Sequence, residues 1–375
     1  MENMSTSPEV TESSSGRSSP LCPSNATHLV LPVLCGLMFC TGIPGNLLSL
    51  WVFAEKIPSK TPTHVYLINL SASNLLLCAT LPMLAAYFAV GDAWRAHQPL
   101  CRVAVGGVTP VLHINIYVGV LILTWIALSR LAALTQQSHA GRPSTCTRIL
   151  PPAFFRKLRE VRFAQATCLA IWAFVLACVL PVVGIYSAIE AGGPGNGSGQ
   201  PCYSVAVEVG GNVSQMTSVG AILLFCLCFL LVLASYVSVN RHISRARRNT
   251  AVPDHHRVYG RVFRNIVVIQ LVLAVCLLPH HVFKAVFIGL AQRWGPRQPA
   301  GAGCHQLSRL VEVKNALLLL AAFRSAADPI TYFLLDNTFR RHVLELLSLS
   351  SSKQSSQTTG SRGDQERTHS KATKL

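Results

Sequence analysis

The 375-residue chain is half apolar, only 13% charged, and has a mean hydropathy of +0.41, a composition that a soluble domain carries only by burying nearly all of its surface. Its formal charge of +17 would suit nucleic acid if it lay on an exposed face. Here it is gathered between apolar stretches, where anionic lipid is the natural neighbour, so a soluble domain and a nucleic-acid binder are set aside.

Residues 1–28 form a polar, Ser/Thr-rich tail without the basic start and apolar run of a signal peptide, so the first helix is expected to insert and translocate it. Seven apolar stretches follow, each long enough to cross a hydrocarbon core of roughly 30 Å as a helix. They run Leu29–Ala54, His64–Val90, Cys101–Leu134, Phe163–Ala188, Val213–Asn240, Arg261–Ala291 and Ser308–Leu335. The expected fold is therefore an all-α membrane protein, a seven-helix bundle over residues 29–335.

Charge sets the orientation. The third interhelical loop carries Arg142, Arg148, Arg156, Lys157, Arg159 and Arg162, and the fifth carries Arg241, Arg245, Arg247, Arg248 and Arg257. The loop from Glu190 to Gly211 has no Lys or Arg. The bias puts these basic loops in the cytoplasm and the N-terminus outside a plasma-membrane protein. Glycosylation sequons at Asn3, Asn25, Asn196 and Asn212 fall on that outer side, while the match at Asn69 lies inside helix two and is read as chance.

Most of the 13 cysteines sit in apolar helices as small buried hydrophobes. Cys22, Cys101, Cys202 and Cys304 instead face the oxidising side, where disulfides persist. The expected bridges are Cys101–Cys202, tethering the glycine-rich fourth loop over the bundle, and Cys22–Cys304, although spacing alone does not fix either pairing. Beyond helix seven, residues 336–347 read as a short amphipathic membrane-surface helix, with Phe339, Val343, Leu346 and Leu347 on one side and Arg340 and Arg341 for lipid phosphates. Residues 348–375 are polar, compositionally disordered and rich in phosphorylatable Ser and Thr. The terminal Thr373-Lys374-Leu375 has the form of a segment that adds to a PDZ-domain edge, or is plain solvated tail.

The helix positions resemble rhodopsin-like, class A G-protein-coupled receptors. The residues that carry the resemblance are Gly45-Asn46, Asn69-Leu70-Ser71, Trp172 with Pro181, Tyr236, Cys276-Leu277-Leu278-Pro279 and Asp328-Pro329-Ile330-Thr331-Tyr332, in order on successive spans. Each alone is weak, and together they are specific. The run Pro279-His280-His281-Val282-Phe283-Lys284 is similar to the purinergic branch, as are Cys22 and Cys304. The resemblance implies a receptor that passes an outside signal to heterotrimeric G proteins, with arrestin as a further partner, and no cofactor or metal. It also implies activation-switch roles for Arg130, Tyr236, Pro279 and Tyr332.

Departures from the family pattern are as informative. Arg130 follows Ser129 where the family has an acid, so a local restraint on the resting state is missing and raised basal activity is expected. Asn74 replaces the acid with which the family binds sodium, while Arg324 and Asp328 stand four residues apart on one face of helix seven. We expect Arg324 to take the ion's place beside Asp328 and Asn74, giving a sodium-insensitive central switch; the alternative is that Arg324 snorkels to water. Leu277 stands where the family has Trp. The stretch from Cys101 to Arg130 is about one turn longer than usual in the family, so an extra turn or bulge is expected at the start of helix three.

Candidate ligand-binding residues are His280, His281 and Lys284 on helix six, Glu312 and Lys314 on helix seven, and His113 and Asn115 on helix three. A cationic cluster at that level suits phosphate or carboxylate, and the resemblance to the purinergic branch implies a nucleotide or an acidic lipid. The other reading is that Lys284 pairs with Glu312 and the histidines merely pack. No nucleophile–base pair, metal-ligand spacing or phosphate-cradling loop points to an enzyme. A transporter would also place charges such as Arg324 and Asp328 at mid-membrane, but an odd number of spans without internal symmetry argues against one. A receptor-like partner that does not signal is the remaining alternative.

Overall fold

The computed structural model describes residues 20–95, 98–137, 152–192, 201–249, 263–264, 266–294 and 303–348. Asn3, Asn196, Arg142, Arg148, Arg257, Arg261 and the tail with Thr373-Lys374-Leu375 lie outside them, as do the side chains of Arg245, Arg247 and Arg248.

Seven helices among the described residues are long and apolar enough to cross a membrane: α1 (Ala26–Lys56), α2 (Pro62–Val90), α3 (Pro99–Ala133), α4 (Val161–Gly192), α5 (Asn212–Asn249), α6 (Ile266–Trp294) and α7 (Ser308–Leu335). An eighth, α8, covers 337–348. The apolar runs mark the spans well. Helix α5 departs most, continuing about two turns past the expected Asn240, because Arg241 to Asn249 keep good helix formers beyond the apolar stretch. A short helix over Pro152–Lys157, which no apolar run announces, packs Phe155, and the turn after it Leu158, against Ala132 of α3.

Large apolar side chains such as Leu29, Leu37, Leu169 and Leu223 point outward and are more than half exposed, as lipid-facing surface requires. Association of the helices then depends on close packing and interior hydrogen bonds, since lipid is as apolar as leucine. Helix α3 runs through the middle, with Leu112, Ile116, Val118, Val120, Ile122 and Ala127 at or below 1% exposure. Helix α1 approaches α7 where Gly45 leaves room: a Cβ there would lie 2.9 Å from Pro329 Cγ.

Wide, π-type turns open and close α1, over Ala26–Val30 and Val52–Lys56, and two more lie in α3 and α6. One, over Ala104–Val108, is the irregularity expected near the start of α3. The other, over Leu273–Leu277, directly precedes Pro279, whose missing N–H already interrupts the α6 ladder. Helix α2 begins with Thr61 and His64 exchanging hydrogen bonds as a reciprocal cap. Asp336 breaks the chain between α7 and α8 and accepts the Thr338 and Phe339 N–H groups, both at 2.9 Å, at the start of α8. Phe339 is buried and stacks on Phe53 at 5.1 Å, while Leu344 and Leu347 stay exposed.

At the opposite end, disulfides join Cys101 to Cys202 and Cys22 to Cys304. The first ties a loop across the bundle mouth, where Cys202 N–H donates to the Trp94 carbonyl and Tyr203 N–H to that of Gly91. The second fixes the N-terminal segment, whose Ser24 N–H and Thr27 hydroxyl both donate to Glu312. Sequon residues Asn25 and Asn212 are exposed at this end, whereas Asn69 is held in the bundle by Trp172 Nε1 at 3.2 Å.

Candidate functional site

A cavity of about 600 Å³ opens beneath the Cys101–Cys202 loop, within the range of small-molecule sites. Its wall is mostly apolar, with Phe88, Tyr117, Val175, Phe287 and Leu318 contributed by five different helices. Among the described residues lining it, the formally charged ones are Lys284, Lys314 and Glu208.

The two lysines have different surroundings. Lys314 is bound to the Glu208 carboxylate and, at 2.8 Å, to the Glu208 backbone carbonyl. The other carboxylate oxygen of Glu208 accepts from the Tyr87 hydroxyl. Lys284 instead meets His113 Nε2 at 3.1 Å. His113 Nδ1 lies 2.8 Å from the Thr109 carbonyl, which can only accept, so Nδ1 carries the proton and Nε2 offers a lone pair to the ammonium. Lys284 therefore has a neutral partner, and no carboxylate among the described residues compensates it. His280 also lines the cavity; it is 3% exposed, and its Nε2 has no hydrogen-bond partner.

The expected ligand residues thus divide. His113, His280, Lys284 and Lys314 come together around one cavity. His281, Glu312 and Asn115 do not line it. His281 bonds the Leu277 carbonyl and lies flat on Phe225, ring centroids 3.9 Å apart. Glu312 holds the N-terminal segment and pairs with Arg309, not Lys284. Glu208 also lines the cavity, and nothing in its short Val205–Val209 stretch says that the carboxylate turns inward.

Asn115 belongs to a second site, deeper in the bundle. Arg324, 1% exposed, donates from Nη1 to Asp328 Oδ2 at 2.7 Å and from Nη2 to Asn115 Oδ1 at 3.2 Å. Asn74 donates to Asp328 Oδ2 at 2.8 Å and to Asn46 Oδ1 at 3.0 Å, while its own oxygen accepts from Asn115 at 3.2 Å. Ser325 and Ser73 complete the set, and Asn46 reaches the Ser325 carbonyl at 2.9 Å. Helices α1, α2, α3 and α7 are thereby joined through one connected network, and every polar atom of Asn74 and Asn115 is used. An aspartate at 74 would only repel Asp328, whereas the amide both donates and accepts.

Arg324 does not reach water and so does not snorkel. Room for it comes from Gly119: a Cβ there would sit 2.5 Å from Nη2 and 2.8 Å from Cζ. A single glycine in an apolar run gave no sign of this use.

At the end bearing α8, Tyr236 of α5 packs on Phe263 at 5.5 Å, and Tyr332 of α7 meets Phe53 edge-on at 5.7 Å. Ser129 turns its hydroxyl back to the Trp125 and Ile126 carbonyls at 2.7 and 3.1 Å. Leu277 is fully buried in the core beside the α6 irregularity.

Seven spanning helices, a disulfide-tethered mouth over a cavity and a polar network at mid-bundle define a membrane receptor of the seven-helix class. Residues 45–332 match the family of 7 transmembrane receptors (rhodopsin family), and the chain belongs to it. Within that family it is 37% identical over 331 residues to the human protein named Probable G-protein coupled receptor 82, covering 88% of this chain and 95% of that one. The mouse Probable G-protein coupled receptor 34 is 22% identical, covering 87% and 79% respectively. A human purinoceptor is 27% identical, covering 82% and 73%. The chain is therefore a multi-pass membrane protein that transduces a signal to heterotrimeric G proteins.

Proposed function

We propose that the receptor sits in the plasma membrane with its disulfide end outside and responds to an anionic amphiphile whose head group is bound by Lys284. The supporting observation is the chemistry of that lysine: an ammonium in a mostly apolar cavity, held by a neutral imidazole instead of a carboxylate. An uncompensated cation at such a site favours an anion from the ligand, and the vacant His280 Nε2 supplies a second polar contact.

The apolar wall favours a lipid-like body over a nucleotide. A triphosphate brings several negative charges to a cavity with a net of one positive charge, and its ribose would leave hydroxyls against Phe88, Phe287 and Leu318. The orientation is supported by Arg156, Lys157, Arg159, Arg162 and Arg241 gathering at the end opposite the disulfides and the exposed Asn25 and Asn212. The phosphorylatable tail would serve arrestin, and its last residues a PDZ domain.

The test is G-protein nucleotide exchange on the purified receptor in lipid nanodiscs, screened against acidic lipids and nucleotides. Lys284→Gln is expected to weaken the active lipid by at least about tenfold, the loss of one charge-assisted contact. Equal potency on wild type and variant, or activation by nucleotides alone, would overturn the reading.

A further inference from the structure

The loop beneath the Cys101–Cys202 bridge brings its own anion into the cavity. Glu208 lies in the short helix Val205–Val209, immediately before α5, and its side chain is 5% exposed. Both carboxylate oxygens are occupied, one by Lys314 and the other by the Tyr87 hydroxyl, and Lys314 also holds the Glu208 carbonyl. The loop helix is thus fastened to α2 and α7 across the cavity by one carboxylate. Because Val207, Glu208 and Val209 line the cavity themselves, the ion pair is part of the wall a ligand meets.

We infer that Glu208 is a specificity-determining residue: by neutralising Lys314 it leaves the cavity one net positive charge, so that the receptor prefers ligands with a singly charged head group to those with a doubly charged one. This rests on the reading of Lys284 as the anion receptor given above. In a poorly solvated space the balance of charge decides which anion fits. Lys284, Lys314 and Glu208 sum to +1, and a monoanion brings the site to neutrality. A dianion leaves an excess negative charge facing Glu208 in a medium where unscreened charges interact strongly. Had the loop carried an uncharged residue at 208, both ammonium groups would be available and the balance would favour the dianion. Tyr87 keeps Glu208 on Lys314 by occupying its second oxygen, which makes displacement by an incoming anion costly.

Two probes share a tail and a tetrahedral head and differ in charge: dodecyl phosphate, about −1.5 to −2 at pH 7, and dodecyl methyl phosphate, −1. Binding to the full-length receptor in neutral-lipid nanodiscs is read from the rise of its unfolding temperature with probe concentration. Wild type is expected to bind the methyl ester about tenfold more tightly than the monoester. Glu208→Gln, which keeps size and hydrogen bonding, reverses that order. The double variant Glu208→Gln/Lys314→Gln returns the net charge to +1 and restores the wild-type order, a rescue that a purely structural role for Glu208 does not give.

Lys314→Gln supplies an independent arm should Glu208→Gln not fold: with no net charge left, the dianion loses more affinity than the monoanion. An unchanged preference in the folded variants, with binding intact and still dependent on Lys284, overturns the role of Glu208 and leaves the anion reading standing. Absence of binding in wild type, or binding indifferent to Lys284→Gln, overturns both.

Discussion

Gly119→Ala tests whether the central network is built around a guanidinium. The new methyl would lie 2.5 Å from Arg324 Nη2, 2.8 Å from Cζ and 3.1 Å from Nη1. Real carbon–nitrogen contacts are not that short, so Arg324 or α3 must move. Arg324 has little freedom, because the same group is bonded to Asp328 at 2.7 Å and to Asn115 at 3.2 Å and is 1% exposed.

If the ion pair survives by backbone adjustment, the cost is that of overpacking, about 1–3 kcal/mol. If the guanidinium leaves Asp328, the buried carboxylate loses its counter-charge and the cost rises to about 3–5 kcal/mol. Gly36→Ala is the matched control, since a Cβ there meets nothing within 4 Å. It should be neutral or stabilise α1 by about 0.5–1 kcal/mol through helix propensity. The assay is thermal unfolding of the detergent-purified receptor. Gly119→Ala should unfold several degrees lower than Gly36→Ala, and Gly119→Ala combined with Arg324→Gln should fall short of the sum of the single effects, because the shorter side chain relieves the contact. Additive losses, or a Gly119→Ala receptor as stable as the control, would refute the argument.

Three other outcomes are expected. Exchanging sodium for choline at constant ionic strength should leave the unfolding temperature of the wild type unchanged, because Arg324 already supplies the cation beside Asp328; Arg324→Gln should gain a sodium-dependent stabilisation, and a sodium response in the wild type would end the internal-cation idea. Ser129→Asp should lower ligand-free nucleotide exchange severalfold by placing a carboxylate beside Arg130, and Arg130→Ala should abolish it at matched surface expression, whereas unchanged exchange in both would show that this pair does not set basal activity. Asp336 should give an acid-sensitive contribution to stability. Burial would raise its carboxyl, but the bond from His64 and the N–H groups of Phe339 and Thr338 outweigh that and hold it below the ordinary carboxylate range. A depressed folded value stabilises above the unfolded value of about 4 and is lost as pH falls through the folded one. Asp336→Asn should therefore cost about 1–3 kcal/mol at neutral pH, with the gap to wild type closing below about pH 4 in unfolding measurements; a constant gap would refute the assignment.

The seven spans are legible in the chain alone, because a bilayer imposes one length on every crossing helix and admits little else, so each appears as an apolar run of about 20 residues. The chain alone also determines that Arg324 and Asp328 share a face, since four residues along a helix is one turn. The arginine-rich loops carry the orientation proposed above. Tertiary structure decided which polar groups meet. Asn115 and His113 lie two positions apart on α3, yet one joins the central network and the other faces the cavity, because neighbouring helices claim different sides of a helix. Glu312 and Lys284 carry opposite charges at a similar level and stay apart, since the disulfide-held N-terminal segment takes the carboxylate. Gly119 acquired its meaning only when α7 placed a guanidinium against it, and Glu208 only when the tethered loop turned inward. Those contacts link segments distant in the chain, and no periodicity along one helix can encode what its neighbour will put there.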